Sequence, residues 1–250
     1  MQIIQSPILK KFTNLSHGFT TKDGGISSAP YERLNLAFHV GDDEESVQKN
    51  HLSLAQKLEY DKKTLIHMKQ IHSNRVHIVN EDDDFTTPPI CDALITNRVE
   101  TPLMVMVADC SPILFHDDKR GVIAVAHAGR EGTFQNIILA VLQNFRENFH
   151  SNLDNITVSI GPAIQVCCYE VGNEIFEKAK ELDLEYAIEK RGDSFYLNIA
   201  LILKTQLLNA GIKEKNIEIL QECSCCKKEK YFSYRADGIT GRFCGVIKLD

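Results

Sequence analysis

With 250 residues, 43% of them hydrophobic, the chain can bury a sizeable core and is long enough for one large α/β domain. Its 28 basic and 34 acidic side chains leave a net charge of −6. No basic cluster is dense enough to neutralise a row of phosphates, so no nucleic-acid partner is expected. The opening MQIIQSPILKKF lacks the basic-then-apolar order of a secretory signal, and no later run is long enough to cross a bilayer. The expectation is a cytoplasmic protein with no membrane partner. Eight cysteines, with adjacent pairs at Cys167-Cys168 and Cys225-Cys226, are expected as reduced thiols rather than a disulfide framework, some of them available as metal ligands.

In chain order, helical spacing first covers residues 45–59. Strand-like runs follow at 76–79 and 93–96, with the acidic patch from Glu81 to Asp84 and the Thr-Thr-Pro-Pro after it forming a surface loop. Three apolar runs at 103–108, 112–115 and 122–126 are separated by short breaks, which predicts antiparallel neighbours. Over residues 134–149, Phe134, Ile137, Ile138, Val141, Leu142 and Phe145 fall on one helical face behind a Thr133 cap. A strand at 156–160, a helix beginning near Asn173, and a helix over 197–209 that closes at Gly211 come next. Strands at 217–220 and 245–249 complete the chain. No linker or repeat divides it, so residues 1–250 are expected to form a single domain of the α/β (α+β) class with a mixed sheet.

Several familiar signatures are missing: a GxSxG elbow, a GxxxxGK[ST] loop, a GxGxxG turn and an HExxH helix. What remains is three strand-end positions, His72 in KQIHSN, Cys110 in VADCSPI and His127 in VAHAGREGT. Two imidazoles and one thiolate can bind Zn²⁺ through three ligands and leave a fourth tetrahedral position for water or substrate. Sulfur with nitrogen suits zinc or copper, not magnesium or calcium. The alternative is that His127 donates to a carbonyl and Cys110 fills core volume. Asp109, beside Cys110, can orient a ligand histidine, accept a substrate proton, or cap the Ser111-Pro112 turn. Cys223, Cys225 and Cys226 offer a second metal site but are read as reduced, unliganded thiols, and Gly161-Pro162 is read as a strand exit in preference to an anion-facing turn. Arg235 and Arg242 flank a glycine-rich turn in FSYRADGITGRFCGVIKL, where they can hold phosphate or carboxylate or make surface salt bridges.

Eight blocks in order, HGFTTKDGGIS, LNLAFHVGDD, KQIHS, CDALIT, VADCSPI, HAGREGT, SIGPAIQVCCYEVG and FSYRADGITGRFCGVIKL, resemble the YfiH-like family, also called the laccase-domain or multicopper polyphenol oxidase family. The resemblance implies packed mixed β-sheets flanked by helices. It implies a zinc-dependent purine nucleoside phosphorylase acting on adenosine, inosine, guanosine or methylthioadenosine, with adenosine deamination as a second activity. His72, Cys110 and His127 then become the metal-binding catalytic residues. Nucleoside and phosphate become the small-molecule partners, with Arg235 and Arg242 as phosphate holders and Asp109 as the proton-handling group.

The chain departs from the family pattern at HAGREGT, where HAGWRGT is usual: Arg130 replaces the tryptophan and Glu131 the arginine. Gln165-Val166 stands where Gly-Pro is usual, and Ala236 where a second arginine commonly follows Arg235. If the family arginine contacts an anion, Glu131 repels it unless Arg130 folds back. Rival readings are a copper-dependent polyphenol oxidase, a hydrolase editing a cell-wall precursor, and a metal-bearing nucleoside-binding module without turnover. Several copper centres require more histidines in ligand-like places than this chain offers.

Overall fold

The computed structural model describes residues 1–250. Strands β1 (Ile3–Ile4) and β2 (Leu15–Thr20) precede helix α1 (Glu44–Lys57). Then come β3 (Val76–Ile78), β4 (Ala93–Thr96), β5 (Leu103–Val107), β6 (Ser111–Asp117) and β7 (Val122–Ala128). Helices α2 (Arg130–Phe134) and α3 (Ile137–Phe149) lead to β8 (Ile156–Ile160), β9 (Glu170–Val171) and α4 (Asn173–Glu181). The remainder is β10 (Ile188–Arg191), β11 (Ser194–Leu197), α5 (Ile199–Asn209), β12 (Ile217–Ile219), α6 (Tyr234–Asp237) and β13 (Phe243–Leu249). No helix is long and apolar enough to cross a membrane.

These elements build a mixed α/β fold with three sheets. A six-stranded sheet runs β12-β8-β6-β7-β4-β3, a four-stranded sheet β1-β2-β13-β5, and a small sheet β10-β11-β9. In the six-stranded sheet β12 with β8 and β3 with β4 are parallel pairs, and the others are antiparallel. β7, VIAVAHA, is buried at every position because both its faces are covered. The two-residue period of a strand sends Val122, Ala124 and Ala126 to the face packed by α3 and α5. It sends Ile123 and Val125 to the opposite face, against β5 and β13 of the four-stranded sheet. β5 and β13 are two-faced as well: Met104, Met106, Cys244 and Val246 pack beneath α1 with Leu54 and Ala55. The order of layers is therefore helix, sheet, sheet, helix. His127 shares the parity of Ile123 and Val125, so it points between the sheets, at the end of the strand where they part.

Two expectations are corrected here. The three runs from Leu103 to Ala126 are not all antiparallel neighbours: β6 and β7 pair from Ser111 with Ala128 to Asp117 with Val122, but β5 pairs with β13 in the other sheet. The break at residues 108–110 is thus a crossover between sheets, and it holds Asp109 at φ +86°. The helix expected over 134–149 is two helices. Thr133 lies inside α2, and the cap of α3 is Asn136, at φ +56°, whose side chain accepts from Leu139 N–H. At the break the Gln135 carbonyl accepts from the Asn74 side chain, and the Thr133 carbonyl accepts from the Gln206 side chain as well as from Asn136 N–H. β1, β2 and the small sheet carry too little alternation to be foreseen.

Candidate metal centre and the cavity around it

Three separate segments bring His72, Cys110 and His127 together. His127 is the penultimate residue of β7, Cys110 sits on the crossover into β6, and His72, expected at a strand end, lies instead in the loop before β3. One ligand atom from each falls within 4.8 Å of the others, a group able to hold a metal ion. Cys110 Sγ is 4.0 Å from His72 Nε2, and the two imidazole rings meet edge to face with centroids 4.8 Å apart. The β6–β7 register sets Ser111 opposite Ala128, which brings Cys110 beside Gly129. A Cβ on Gly129 would lie 2.9 Å from His72 Cδ2 and 3.0 Å from Cys110 Sγ. Glycine is required there for close approach, since its φ of −77° suits any residue.

The residue that organises the centre is Asp92, fully buried and without any signature beyond its place at the head of the apolar run ALIT. Its Oδ1 accepts from His127 Nδ1 at 2.8 Å and from His72 N–H at 3.0 Å. Its Oδ2 accepts from the Ser73 amide and hydroxyl, both at 2.7 Å, and from Ile71 N–H at 3.2 Å. The carboxylate thus fixes the ring of one ligand and the backbone of another, and leaves His127 Nε2 as the nitrogen that can face a metal. His72 is held at φ +59°, a left-handed conformation uncommon for histidine that these bonds enforce. Gln70 exchanges two hydrogen bonds with Met106, pinning the same loop to the edge of β5. Orienting a ligand histidine, one of the roles open to Asp109 in the sequence, falls to Asp92 instead.

Electrostatics follow from these contacts. Burial opposes ionisation of Cys110, but the charges and hydrogen bonds of His127 and His72 outweigh it and bring the thiol down to about 6. Burial likewise opposes protonation of His127, but the Cys110 thiolate and Asp92 raise it to about 9. Asp92 reaches about 2, its burial outweighed by hydrogen bonds from His127 and Ser73. In the metal-free protein the pair therefore rests as thiolate and imidazolium at neutral pH, and a divalent ion that displaces the imidazolium proton meets a ready sulfur anion.

The centre lies in a cavity of about 470 Å³, within the range of small-ligand sites. Asp109, Arg235 and Arg242 all line it, so the sequence candidates converge on one space. Asp109 Oδ1 accepts from the Ser224 hydroxyl at 2.6 Å and Oδ2 from Arg235 N–H at 2.7 Å. Arg235 donates to the Glu170 carbonyl and lies over the Tyr169 ring, while Arg242 donates to the carbonyls of Thr240 and Gly241. Burial lowers the pKa of Arg242 below the ordinary guanidinium value, which makes an anionic ligand a favourable neighbour. Glu131 does not line the cavity. Its carboxylate takes Arg130 Nε at 3.1 Å and Lys178 Nζ at 2.8 Å. The negative charge introduced by the departure from HAGWRGT is thus neutralised by two cations, Arg130 on the cavity wall and Lys178, which does not line it.

A family model described as multi-copper polyphenol oxidoreductase laccase matches residues 16–250. The chain belongs to this laccase-domain family. Purine nucleoside phosphorylase YlmD of Geobacillus stearothermophilus is 33% identical, over 94% of this chain and 90% of the relative. Adenosine deaminase RL5, from an unknown prokaryotic organism, is 32% identical over 92% of this chain and 93% of its own length. The crystal structure of Bacillus licheniformis hypothetical protein YfiH superposes with a TM-score of 0.90 at 32% identity, covering 94% of this chain and 93% of that one. The three-sheet arrangement described above is therefore a laccase-domain fold.

Proposed function

We propose that the protein is a zinc-dependent purine nucleoside phosphorylase that also deaminates adenosine. The observation that carries the reading is the meeting of a two-histidine, one-cysteine centre with Arg235 and Arg242 on one cavity, which Arg130 also lines. The donor set fits zinc: imidazole nitrogen and thiolate sulfur, three protein ligands, and a buried carboxylate behind one histidine. Zinc, when bound, supplies a Lewis acid and lowers the pKa of water in its open position. Only one other group of three or more ligating side chains exists in the chain, and it contains no histidine, so a multicopper oxidase lacks its additional imidazole sites.

The remaining roles belong to this chain's own residues. Arg235 and Arg242 hold phosphate, whose oxygen attacks the ribose C1′ while the bond to the purine breaks and its electron pair leaves with the base; their positive charge also stabilises the negative charge that develops on the departing purine. Tyr169, Ile164 and Met106 give the base an apolar wall. Asp109, held by Ser224 and Arg235, handles the proton passed to or from the purine. Deamination requires no phosphate, so the two activities separate by omitting it.

Zinc-loaded protein incubated with adenosine, with and without phosphate, tests the proposal by chromatography of products. Adenine formed only with phosphate is the phosphorolysis expected, and inosine in both tubes is the deamination. Unchanged adenosine in both overturns the reading.

A further inference from the structure

A second gathering of ligands lies outside this centre. The turn at 165–169 and the turn at 223–226 each contribute two thiols, and the sulfurs of Cys167, Cys168, Cys223 and Cys226 all lie within 4.8 Å of one another. Cys226 Sγ is 3.3 Å from that of Cys168 and 3.5 Å from that of Cys167, and none of the four is joined in a disulfide. Bonds of about 2.3 Å to a tetrahedral zinc ion place its sulfurs about 3.8 Å apart, within the span of this group. A disulfide draws two sulfurs to about 2.05 Å and leaves the other two without a role.

The backbone is built to hold these positions. Ala163 N–H donates to Glu222 O and Ser224 N–H to Ala163 O, a short parallel bridge that aligns the two turns. Lys227 N–H donates to Cys223 O and closes the Cys-x-x-Cys turn, and Cys168 N–H does the same for Gln165 O. Gln165 N–H donates to Cys223 Sγ at 3.4 Å, the kind of outer contact that steadies a ligating sulfur.

We infer that Cys167, Cys168, Cys223 and Cys226 form a second metal site, a closed tetrathiolate centre that takes one zinc ion. Four soft sulfurs select zinc or iron–sulfur chemistry, and their mutual closeness fits a single ion rather than a larger multi-iron cluster. As four Zn–S bonds form, four thiol protons pass to solvent and no electron is transferred. Four protein ligands leave no open position, so the centre is structural. It clamps the cavity wall, because Tyr169 follows Cys168 directly and Ser224, inside the Cys-x-x-Cys turn, holds Asp109. Cys223 and Cys226, read from the sequence as unliganded thiols, thus share one purpose with Cys167 and Cys168.

The test is elemental analysis and cobalt spectroscopy of the full chain reconstituted with Zn²⁺ or Co²⁺, alone and with the first centre removed by Cys110→Ser with His72→Ala. The expected result is two ions in the parent protein and one in that variant. The cobalt form of the variant should retain the intense thiolate-to-cobalt charge-transfer band of a four-sulfur site. Cys223→Ser with Cys226→Ser should lose that band, while Cys225→Ser keeps it. A metal-free Cys110→Ser, His72→Ala protein overturns the inference, as does an intact mass lowered by a disulfide among these four cysteines. One ion that survives Cys110→Ser, His72→Ala in a parent that also holds only one refutes the first centre and leaves the second standing.

Discussion

Asp92→Asn is the substitution that interrogates the first centre most directly. The carboxylate accepts five hydrogen bonds from Ile71, His72, Ser73 and His127. An asparagine keeps one oxygen and turns an NH₂ toward the other donors, so in either orientation at least two N–H groups face another donor. At about 1.5–3 kcal/mol for each hydrogen bond to a charged group, the metal-free protein should lose about 4 kcal/mol, or roughly 8–16 °C in Tm for a chain of this size. Freed from its orienting partner, His127 should also bind zinc about 10–100-fold more weakly, measured by competition with a chromophoric chelator. The pH dependence has a definite sign. Asp92 falls from 3.8 to about 2 on folding, so its stabilising charge is fully present above pH 4 and is lost as pH falls through 2. The gap between parent and variant should therefore close only below about pH 4. Unchanged zinc affinity and Tm in Asp92→Asn would refute the reasoning, as would a larger loss of zinc affinity in Asp109→Asn.

Three further outcomes follow from the same geometry. Gly129→Ala should remain folded, because its backbone is ordinary, yet lose at least tenfold in metal affinity as the new methyl crowds His72 and Cys110; unimpaired metal binding would count against the close approach. In metal-free protein, peptide-resolved alkylation of Cys110 should rise with a midpoint near pH 6, and His127→Ala should shift that midpoint upward by removing the imidazolium that stabilises the thiolate; an ordinary thiol midpoint in the parent would contradict the pairing. Arg235→Ala and Arg242→Ala should each lower kcat/KM about 10–100-fold, raising the KM for phosphate more than that for nucleoside, and equal effects on both substrates would remove the arginines from phosphate binding.

The meeting of His72, Cys110 and His127 was legible because each lies beside or just after an apolar stretch, and alternation along VIAVAHA fixes the face to which His127 points. The helix over residues 44–57 was legible from its spacing, and that over 199–209 from its close at Gly211. Asp92 was not, since a lone acid before ALIT reads as an ordinary strand start, and only tertiary structure brings the backbone of residues 71–73 and the His127 ring onto it. The crossover at Asp109 was hidden for a related reason: runs at 103–108 and 112–115 are equally apolar, and nothing local states that they serve different sheets. The break at Asn136 escaped notice because the apolar face continues through it. Cys167 and Cys226, 59 residues apart, meet through a long excursion that no spacing rule covers.

The three ligands of the first centre stand on segments anchored in the interior between the two large sheets, whereas Tyr169, Arg235 and Arg242 stand on segments that reach the cavity from outside them. Under the proposed function, chemistry and selectivity are thereby mounted on different parts of the chain. Exchanging residues 165–171 or 233–242 among laccase-domain proteins should then redirect which molecule is held while leaving His72, Cys110 and His127 in place. A lineage built on this scaffold is free to change its diet while keeping its teeth.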